Sequence, residues 1–423
     1  MGNAFELAYG RDFLKFSLPD AVNPLVLRPK DVPGLSDPRR AVAEALAAPT
    51  GTPSLLDMLR SRKPRRITVV VNDETRPTPY DALFPPLLEV FNQAGIMDDQ
   101  LVFVIATGIH PAQSAELNER IYGAAMTKRF RFVNHISTDE AGLISLGTTS
   151  SGYECTINRF ALETDFLITI GVVMPHYFAG FSGGRKSILP GLAGYRTVAK
   201  NHARMVELLD ALPPIRENPI SLEMIEVARK VGVDFILNTV TNARKEVAKV
   251  VAGDLERAWY EAVDFSASLY EVPFEKPVDI AIASACGYPR DVNVYQAQKA
   301  LDHADRITRP GGAIIWVAAC SGGFGEAVFE KWLRKRLTPQ EVMRNIRSEF
   351  ELGGHKAYAI AKVAAEKNVT LVSDLTADET SMLFVRKADS LEKALGEVFA
   401  KYGPDARVAV LPDGCLTLPV PAA

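Results

Sequence analysis

Short apolar runs alternate with amphipathic stretches along most of the chain, and each run stops abruptly at polar residues. Residues 65–71, Leu101–Ala106 and 166–170 read as buried strands, being β-branched, short and bounded by turn residues. Residues 80–94 repeat their apolar positions at helical spacing. A helix is predicted over 221–231, strands over 235–240 and 247–251, and a helix over 254–270 capped by Asp254. The polar, proline-bearing stretch 271–277 breaks the pattern. Beyond it come strands over 279–284, 313–318, 370–373 and 407–411, a helix over 294–304, and helices from Glu326, Pro339 and Ala357. The first sixty residues are rich in proline and small side chains, with an edge strand over 22–30 and a short helix over 38–46.

This alternation predicts an α/β protein: two α/β domains with mainly parallel sheets and an active-site cleft between them. The boundary falls in the proline-bearing break, giving domains 1–272 and 273–423, with the last residues free to return to the first domain. A chain of 423 residues, 47% hydrophobic and 23% charged, has ample material for two cores. A net charge of -3 and a pI near 6.2 argue against nucleic acid or an anionic membrane as the main partner. No stretch of 18 apolar residues occurs, and the first fifteen residues lack the pattern of a signal peptide. Cys155, Cys286, Cys320 and Cys415 are widely spaced, which disfavours a disulfide framework or zinc-thiolate site and favours a reducing cytoplasm.

Chemistry concentrates where three strands end. One end carries Asp73-x-Thr75-Arg76-Pro77, the next Thr107-Gly108-x-His110, and the third the stretch 171–202. Ligands of open parallel sheets bind beyond the carboxyl ends of the strands, so Asp73, Arg76, His110, His176 and Lys186 are expected in one place. Gly180, Gly183 and Gly184 allow positive φ and close approach of a bound group, and Ser182, Gly183 and Gly184 are candidates for holding an anion. Plainer readings exist for each element alone. The Asp-x-Thr-Arg loop can be a salt-bridged turn, and His110 a helix cap. Residues 321–325 (Ser-Gly-Gly-Phe-Gly) resemble a phosphate-binding turn without the GxGxxG spacing. Cys286 and Cys320 suit small core positions, and His135, His303 and His355 have no partner signature.

The three loops, with His176-x-x-Ala179-Gly180-x-Ser182-Gly183-Gly184-x-Lys186-x-x-x-Pro190-Gly191 and Asn201-His202, resemble the nickel-pincer-nucleotide lactate racemase family. The likeness continues into Arg290-Asp291-x-Asn293-x-Tyr295-Gln296-x-Gln298-Lys299. It implies a racemase or epimerase that inverts C2 of a 2-hydroxy acid by reversible hydride transfer. The implied cofactor is a nickel-pincer nucleotide (pyridinium-3-thioamide-5-thiocarboxylic acid mononucleotide) tethered to Lys186, its Ni(II) ligated by His202. Soft sulfur donors with one imidazole suit planar Ni(II). Thr75, Arg76, Ser182, Gly183 and Gly184 are the remaining candidates for contact with that nucleotide. His110 and His176 correspond to the acid/base pair, an apt choice because imidazole titrates near neutrality. Arg76 and Lys299 would hold the substrate carboxylate, Asp73 would orient Arg76 or a histidine, and Tyr295 and Gln296 would line the substrate side.

The implied partners are a small 2-hydroxy acid and the proteins that build the cofactor and insert nickel. Lactate is the default substrate, since Arg76, Gln296 and Lys299 are all present. Residues 353–358 (Gly-Gly-His-Lys-Ala-Tyr) introduce polar groups suited to a larger or more polar acid, or equally a helix start with a solvated Lys356. Two rivals stand beside this reading: an NAD-type 2-hydroxyacid dehydrogenase or lyase using the 321–325 loop, and a non-catalytic cofactor carrier.

Overall fold

The computed structural model describes residues 3–208 and 213–422. It divides into two compact units, Asp31–Ser268 and a second made of Met1–Lys30 with Leu269–Ala423.

The first unit is built on a six-stranded sheet. Its order is Val247–Gly253, Phe235–Thr241, Phe166–Val172, Ile67–Asn72, Leu101–Ala106 and Arg131–Asn134. All neighbours run parallel except the first pair. Helices cover both faces of a parallel sheet, so its central strands lack polar alternation; every residue of Phe166–Val172 is buried. The helices Pro38–Ala47 and Tyr80–Gln93 bring Val42, Leu46, Leu83, Leu87 and Phe91 onto Val69, Val71, Phe103 and Ile168. Each such side chain withdrawn from water contributes about 1.5–3 kcal/mol against chain entropy. The helix Tyr80–Gln93 keeps its apolar spacing through Pro85 and Pro86. At its start, the Tyr80 hydroxyl accepts from the Asn72 amide at 2.7 Å and donates to the Asn72 carbonyl at 3.1 Å. Tyr122 donates to the same carbonyl at 2.8 Å, so two buried phenols pin the strand end just before Asp73.

The second unit repeats the design with a wholly parallel sheet. Its order is Arg386–Ala388, Asn368–Val372, Thr308–Val317, Val278–Ser284, Val408–Leu411 and Leu25–Val26. Residues 1–30, read from sequence as part of the first domain, belong here. A hairpin of Asn3–Tyr9 and Asp12–Leu18, not foreseen from the pattern, inserts Leu7, Phe16 and Leu18 among Ile280, Ile282, Val317 and Val410. The edge strand expected over 22–30 shrinks to Leu25–Val26, paired with Ala409 and Val410. The break at 271–277 is partly a strand, because Glu271–Phe274 pairs with Leu418–Pro421 in a two-stranded ribbon, where prolines are tolerated. That pairing keeps the chain's last strand in this unit. Among the described residues no helix is long and apolar enough to cross a membrane.

Candidate active site

In the first sheet, Ile67–Asn72 lies between Phe166–Val172 and Leu101–Ala106. All three are parallel, so the loops that leave their carboxyl ends share one edge. The Gly108 amide donates to the Gly191 carbonyl at 3.0 Å and ties the second loop to the third.

On this edge Asp73 and His110 form a pair. Asp73 Oδ2 lies 2.6 Å from His110 Nδ1, while Oδ1 accepts from the Thr75 hydroxyl at 2.6 Å and its amide at 3.2 Å. Burial pushes the Asp73 carboxyl up, but hydrogen bonds and charge from His110, with Thr75 and Arg76, outweigh it and hold the group below its usual range. An ionised Asp73 accepts, so His110 Nδ1 is the donor of this bond. Half of the His110 side chain is exposed, whereas Asp73 is buried. Arg76 donates to the Thr75 carbonyl at 3.0 Å and to its hydroxyl at 3.3 Å. Of the two roles expected for Asp73, the direct bond goes to the histidine. Thr75 lies between Asp73 and Arg76, with its hydroxyl engaged by both.

The third loop folds around a buried cation that sequence reading passed over. Arg185 is fully buried. It donates to the carbonyls of Phe181 at 2.8 Å and Ala179 at 2.7 Å, to that of Gly183 at 3.5 Å, and to Ser221 Oγ at 2.9 and 3.2 Å. Its guanidinium also lies over the Trp259 ring, 3.7 Å from the centroid. A fixed fork of donors gathers three alternate backbone carbonyls in a way no lysine could. Glycine is required beneath it. Gly183 and Gly184 have φ of 74° and 48°. A Cβ would fall 2.6 Å from Val173 at the first and 2.8 Å from Trp259 at the second.

These contacts revise the anion cradle expected of Ser182, Gly183 and Gly184. The Ser182 hydroxyl donates to the Val172 carbonyl at 2.7 Å and accepts from the Met174 amide at 3.0 Å. The Gly184 amide donates to Asn238 Oδ1 at 2.8 Å. Both groups are turned inward to hold the loop, and Gly183 is held by packing; this follows because buried polar groups need internal partners.

With Arg185 drawn inward, three of the side chains singled out in the sequence converge on Phe178. The ring of His176 lies 4.6 Å from that of Phe178, the ring of His202 4.8 Å, and Lys186 Nζ 5.3 Å. Phe178 is buried and gave no signal in the sequence beyond its place between His176 and Ala179. His176 accepts from the Ala179 amide through Nδ1 at 3.5 Å. His202 sits in the last turn of the helix Tyr195–Ala203. Burial, reinforced by the Lys186 ammonium and only partly opposed by the Val198 carbonyl, pushes His202 down to about 3, so it is neutral at physiological pH. Its Nδ1 is buried without a well-formed hydrogen bond.

The helix beneath His202 is anchored by Glu223, a residue the sequence did not single out. The buried Glu223 carboxylate accepts from Asn201 Nδ2 at 2.7 Å, Tyr153 at 2.6 Å and Thr149 at 3.2 Å. Asn201 precedes His202, so this network fixes where the imidazole stands. Among the described residues no group of three or more His, Cys, Asp or Glu is arranged to hold a metal ion.

In the second unit, Tyr295, Gln296 and Lys299 occupy the first turns of the helix Val294–Ile307, whose N-terminus Asn293 caps through the Gln296 amide at 3.0 Å. Lys299 donates to Gln296 Oε1 at 3.3 Å. The 321–325 loop is spent on building this helix start: Gly322 donates to the Val292 carbonyl, and the Gly323 and Phe324 carbonyls accept from Val294 and Tyr295. His135 and His303 are structural, their rings bonded to the Ala193 carbonyl at 3.0 Å and the Gly414 carbonyl at 2.7 Å.

The sequence profiles of the lactate racemase N-terminal domain and the lactate racemase C-terminal domain match residues 9–210 and 274–418. The lactate racemase of Thermoanaerobacterium thermosaccharolyticum is 33% identical over 419 residues, covering 97% of both chains. The chain belongs to the lactate racemase family. A second lactate racemase, from Lactiplantibacillus plantarum, is 33% identical over 386 residues and 89% of each chain. The structure of the lactate racemase apoprotein from T. thermosaccharolyticum superposes with a TM-score of 0.91 at 31% identity, over 99% of this chain and 100% of that one. A protein from Thermotoga maritima shares the fold with a TM-score of 0.67 at 19% identity, over 92% and 99% of the two chains. As a lactate racemase family member the chain is an isomerase, and its α/β, mainly parallel, two-domain architecture is that of the family.

Proposed function

We propose that this racemase inverts C2 of lactate or a related short or medium 2-hydroxy acid, using a nickel-pincer nucleotide tethered to Lys186. The observation that carries the reading is the convergence of His176, Lys186 and His202 on Phe178, in a loop that leaves the same sheet edge as the loops of the Asp73–His110 pair. The residues fit such a group. Lys186 offers a primary amine able to form the thioamide, and His202 offers a neutral imidazole whose buried Nδ1 lacks a well-formed bond. When bound, the nickel-pincer nucleotide supplies an electrophilic centre that accepts the C2 hydrogen with its electron pair and returns it.

The chain's own residues handle the protons and the carboxylate. His110 Nε2 takes the proton of the C2 hydroxyl, and the imidazolium so formed is stabilised by Asp73 at 2.6 Å. His176, entering as the imidazolium, gives a proton to the oxygen once the 2-oxo acid has presented its other face, and is left as the neutral imidazole. For the opposite enantiomer the two rings exchange roles, and proton exchange with water restores them. Arg76 and, from the C-terminal domain, Lys299 neutralise the substrate carboxylate, at about 1.5–3 kcal/mol per charged hydrogen bond. Tyr295 and Gln296 orient the substrate. The proteins that assemble the cofactor and load nickel are partners in this reading, in the cytoplasm.

The test is direct. Protein co-produced with the cofactor-forming enzymes should show an intact mass above that of the chain, and Lys186→Ala should lose the increment. Substrate deuterated at C2 should yield product that keeps the label. Wash-out of deuterium into solvent would instead mean proton abstraction at carbon, and an increment that survives Lys186→Ala would remove the tether from that residue.

A further inference from the structure

Asp73 and His110 stand on different loops, so the 2.6 Å between them depends on how far apart those loops are held. One buried side chain, which takes no part in the proton transfers above, bridges the same two loops. Gln113 follows His110 by three residues and precedes Ser114, the N-cap of the helix Ala115–Tyr122.

The backbone of Gln113 is anchored to the sheet. Its amide donates to Asn134 Oδ1 at 3.0 Å, and its carbonyl accepts from Asn134 Nδ2 at 2.9 Å. Asn134 ends the edge strand Arg131–Asn134, so the second loop is tied down at this point. The helix then seats the side chain. Asn118 and Tyr122 are four residues apart and share one side of it. Gln113 Nε2 donates to Asn118 Oδ1 at 2.8 Å and to the Tyr122 hydroxyl at 3.3 Å.

The other end of the amide reaches the first loop. Gln113 Oε1 accepts from the Glu74 amide at 2.6 Å. A backbone N–H can only donate, which settles which end of the Gln113 side chain is the oxygen. Tyr122 in turn donates to the Asn72 carbonyl at 2.8 Å. Asp73 is therefore gripped on both sides, its predecessor through Tyr122 and its successor directly. Every polar group of Gln113 is engaged within the chain, which suits it to placing other groups and not to touching substrate.

We propose that Gln113 is a positioning residue that sets the Asp73–His110 distance, so that the pair is formed before cofactor or substrate arrives. This deepens the function proposed above and rests on its assignment of His110. Hydrogen bonds weaken steeply as their geometry worsens, and a displacement of about 1 Å near a reacting group can cost ~10²-fold in rate.

The test compares the wild type with Gln113→Leu, which removes both arms of the bridge, and Gln113→Glu, which keeps an oxygen for the Glu74 amide. In full-length protein made without the cofactor-forming enzymes and carrying isotope-labelled histidine, NMR reads the proton on His110 Nδ1, assigned by its loss in His110→Asn. It should lie far downfield in the wild type and in Gln113→Glu, and be lost to exchange in Gln113→Leu. In cofactor-loaded protein, Gln113→Leu should lower kcat for lactate about 10–100-fold with KM and the tethered mass unchanged, and Gln113→Glu should recover most of that loss. Should Gln113→Leu fold poorly, Tyr122→Phe removes the Asn72 arm and should give the same signature in smaller measure. A downfield proton and a kcat untouched by these substitutions would overturn the clamp and leave the racemase reading intact. So would a joint loss of kcat, substrate affinity and cofactor loading, which marks general loosening. A proton that depends on Gln113 in a protein that inverts no 2-hydroxy acid would instead keep the clamp and overturn the racemase reading.

Discussion

The two domains each present the carboxyl edge of a six-stranded, mostly parallel sheet, and they employ it in opposite ways. In the N-terminal domain the loops beyond Ile67–Asn72, Leu101–Ala106 and Phe166–Val172 carry Asp73, His110, His176 and Lys186. Their backbone is held by groups placed for that purpose: Tyr80 and Tyr122 at Asn72, Arg185 under the glycine loop, Glu223 beneath His202. In the C-terminal domain the corresponding polar residues are spent on the fold. Asp291 Oδ2 accepts from the amides of Gly10 at 2.6 Å and Ala319 at 3.1 Å, and Tyr9 donates to Asp374 at 2.5 Å. There Tyr295, Gln296 and Lys299, expected to meet substrate, stand on one helix. Similar architecture thus leaves function to the side chains, and it is the supporting bonds that show which edge is committed to structure.

Substitutions should separate these uses. The largest effect is expected at Lys186: Lys186→Ala abolishes the mass increment and lowers kcat by at least ~10³-fold, and Lys186→Arg does no better, since a guanidinium cannot supply the same link. Next come the proposed acid/base histidine and its carboxylate partner. His110→Asn should lower kcat about 10²–10⁴-fold, and Asp73→Asn toward the lower end of that range, while the mass increment persists in both. A normal rate in either variant would remove the pair from the proton path.

A supporting group should behave differently. Arg185→Met leaves the carbonyls of Ala179 and Phe181 buried without donors, an expected cost of about 3 kcal/mol. The N-terminal domain should melt several degrees earlier and load cofactor poorly, with the C-terminal transition unmoved. Equal loss in both transitions would contradict the two-unit division.

The smallest effect is shared by the domains and depends on pH. His135 in one and His303 in the other are each held down to about 4, chiefly by burial. Between pH 6.5 and 4 the unfolded chain binds protons at these sites that the folded chain does not, so stability falls as pH falls through that window. Linkage makes the loss about 2 kcal/mol per histidine by pH 5. Denaturation midpoints at pH 7 and pH 5 check this, and replacing either histidine by Asn should flatten the response of its own domain only.

Much of this was legible before the fold was known. The strands Leu101–Ala106 and Phe166–Val172 were plain because parallel strands covered on both faces leave an unbroken apolar run. The charged loops after them were plain for the same reason. The hairpin of Asn3–Tyr9 and Asp12–Leu18 was not, since its core-facing side chains answer to strands almost three hundred residues away. Arg185 was hidden by Lys186: adjacent cations look alike in a sequence, and only the turn of the backbone sends one inward and the other toward Phe178.

By itself, the sequence determined most of the elements, the sheet type and which loops carry chemically capable side chains, because hydrophobic period and residue chemistry are local properties. Tertiary structure decided which of those residues keep their polar atoms available and which spend them on backbone. It drew Ser182 and Gly184 into support, paired Asp73 with His110, and buried Lys356 against Gln298. Hydrogen bonding is exclusive and depends on distance, so a donor's role is settled only when the chain has brought its partner within reach.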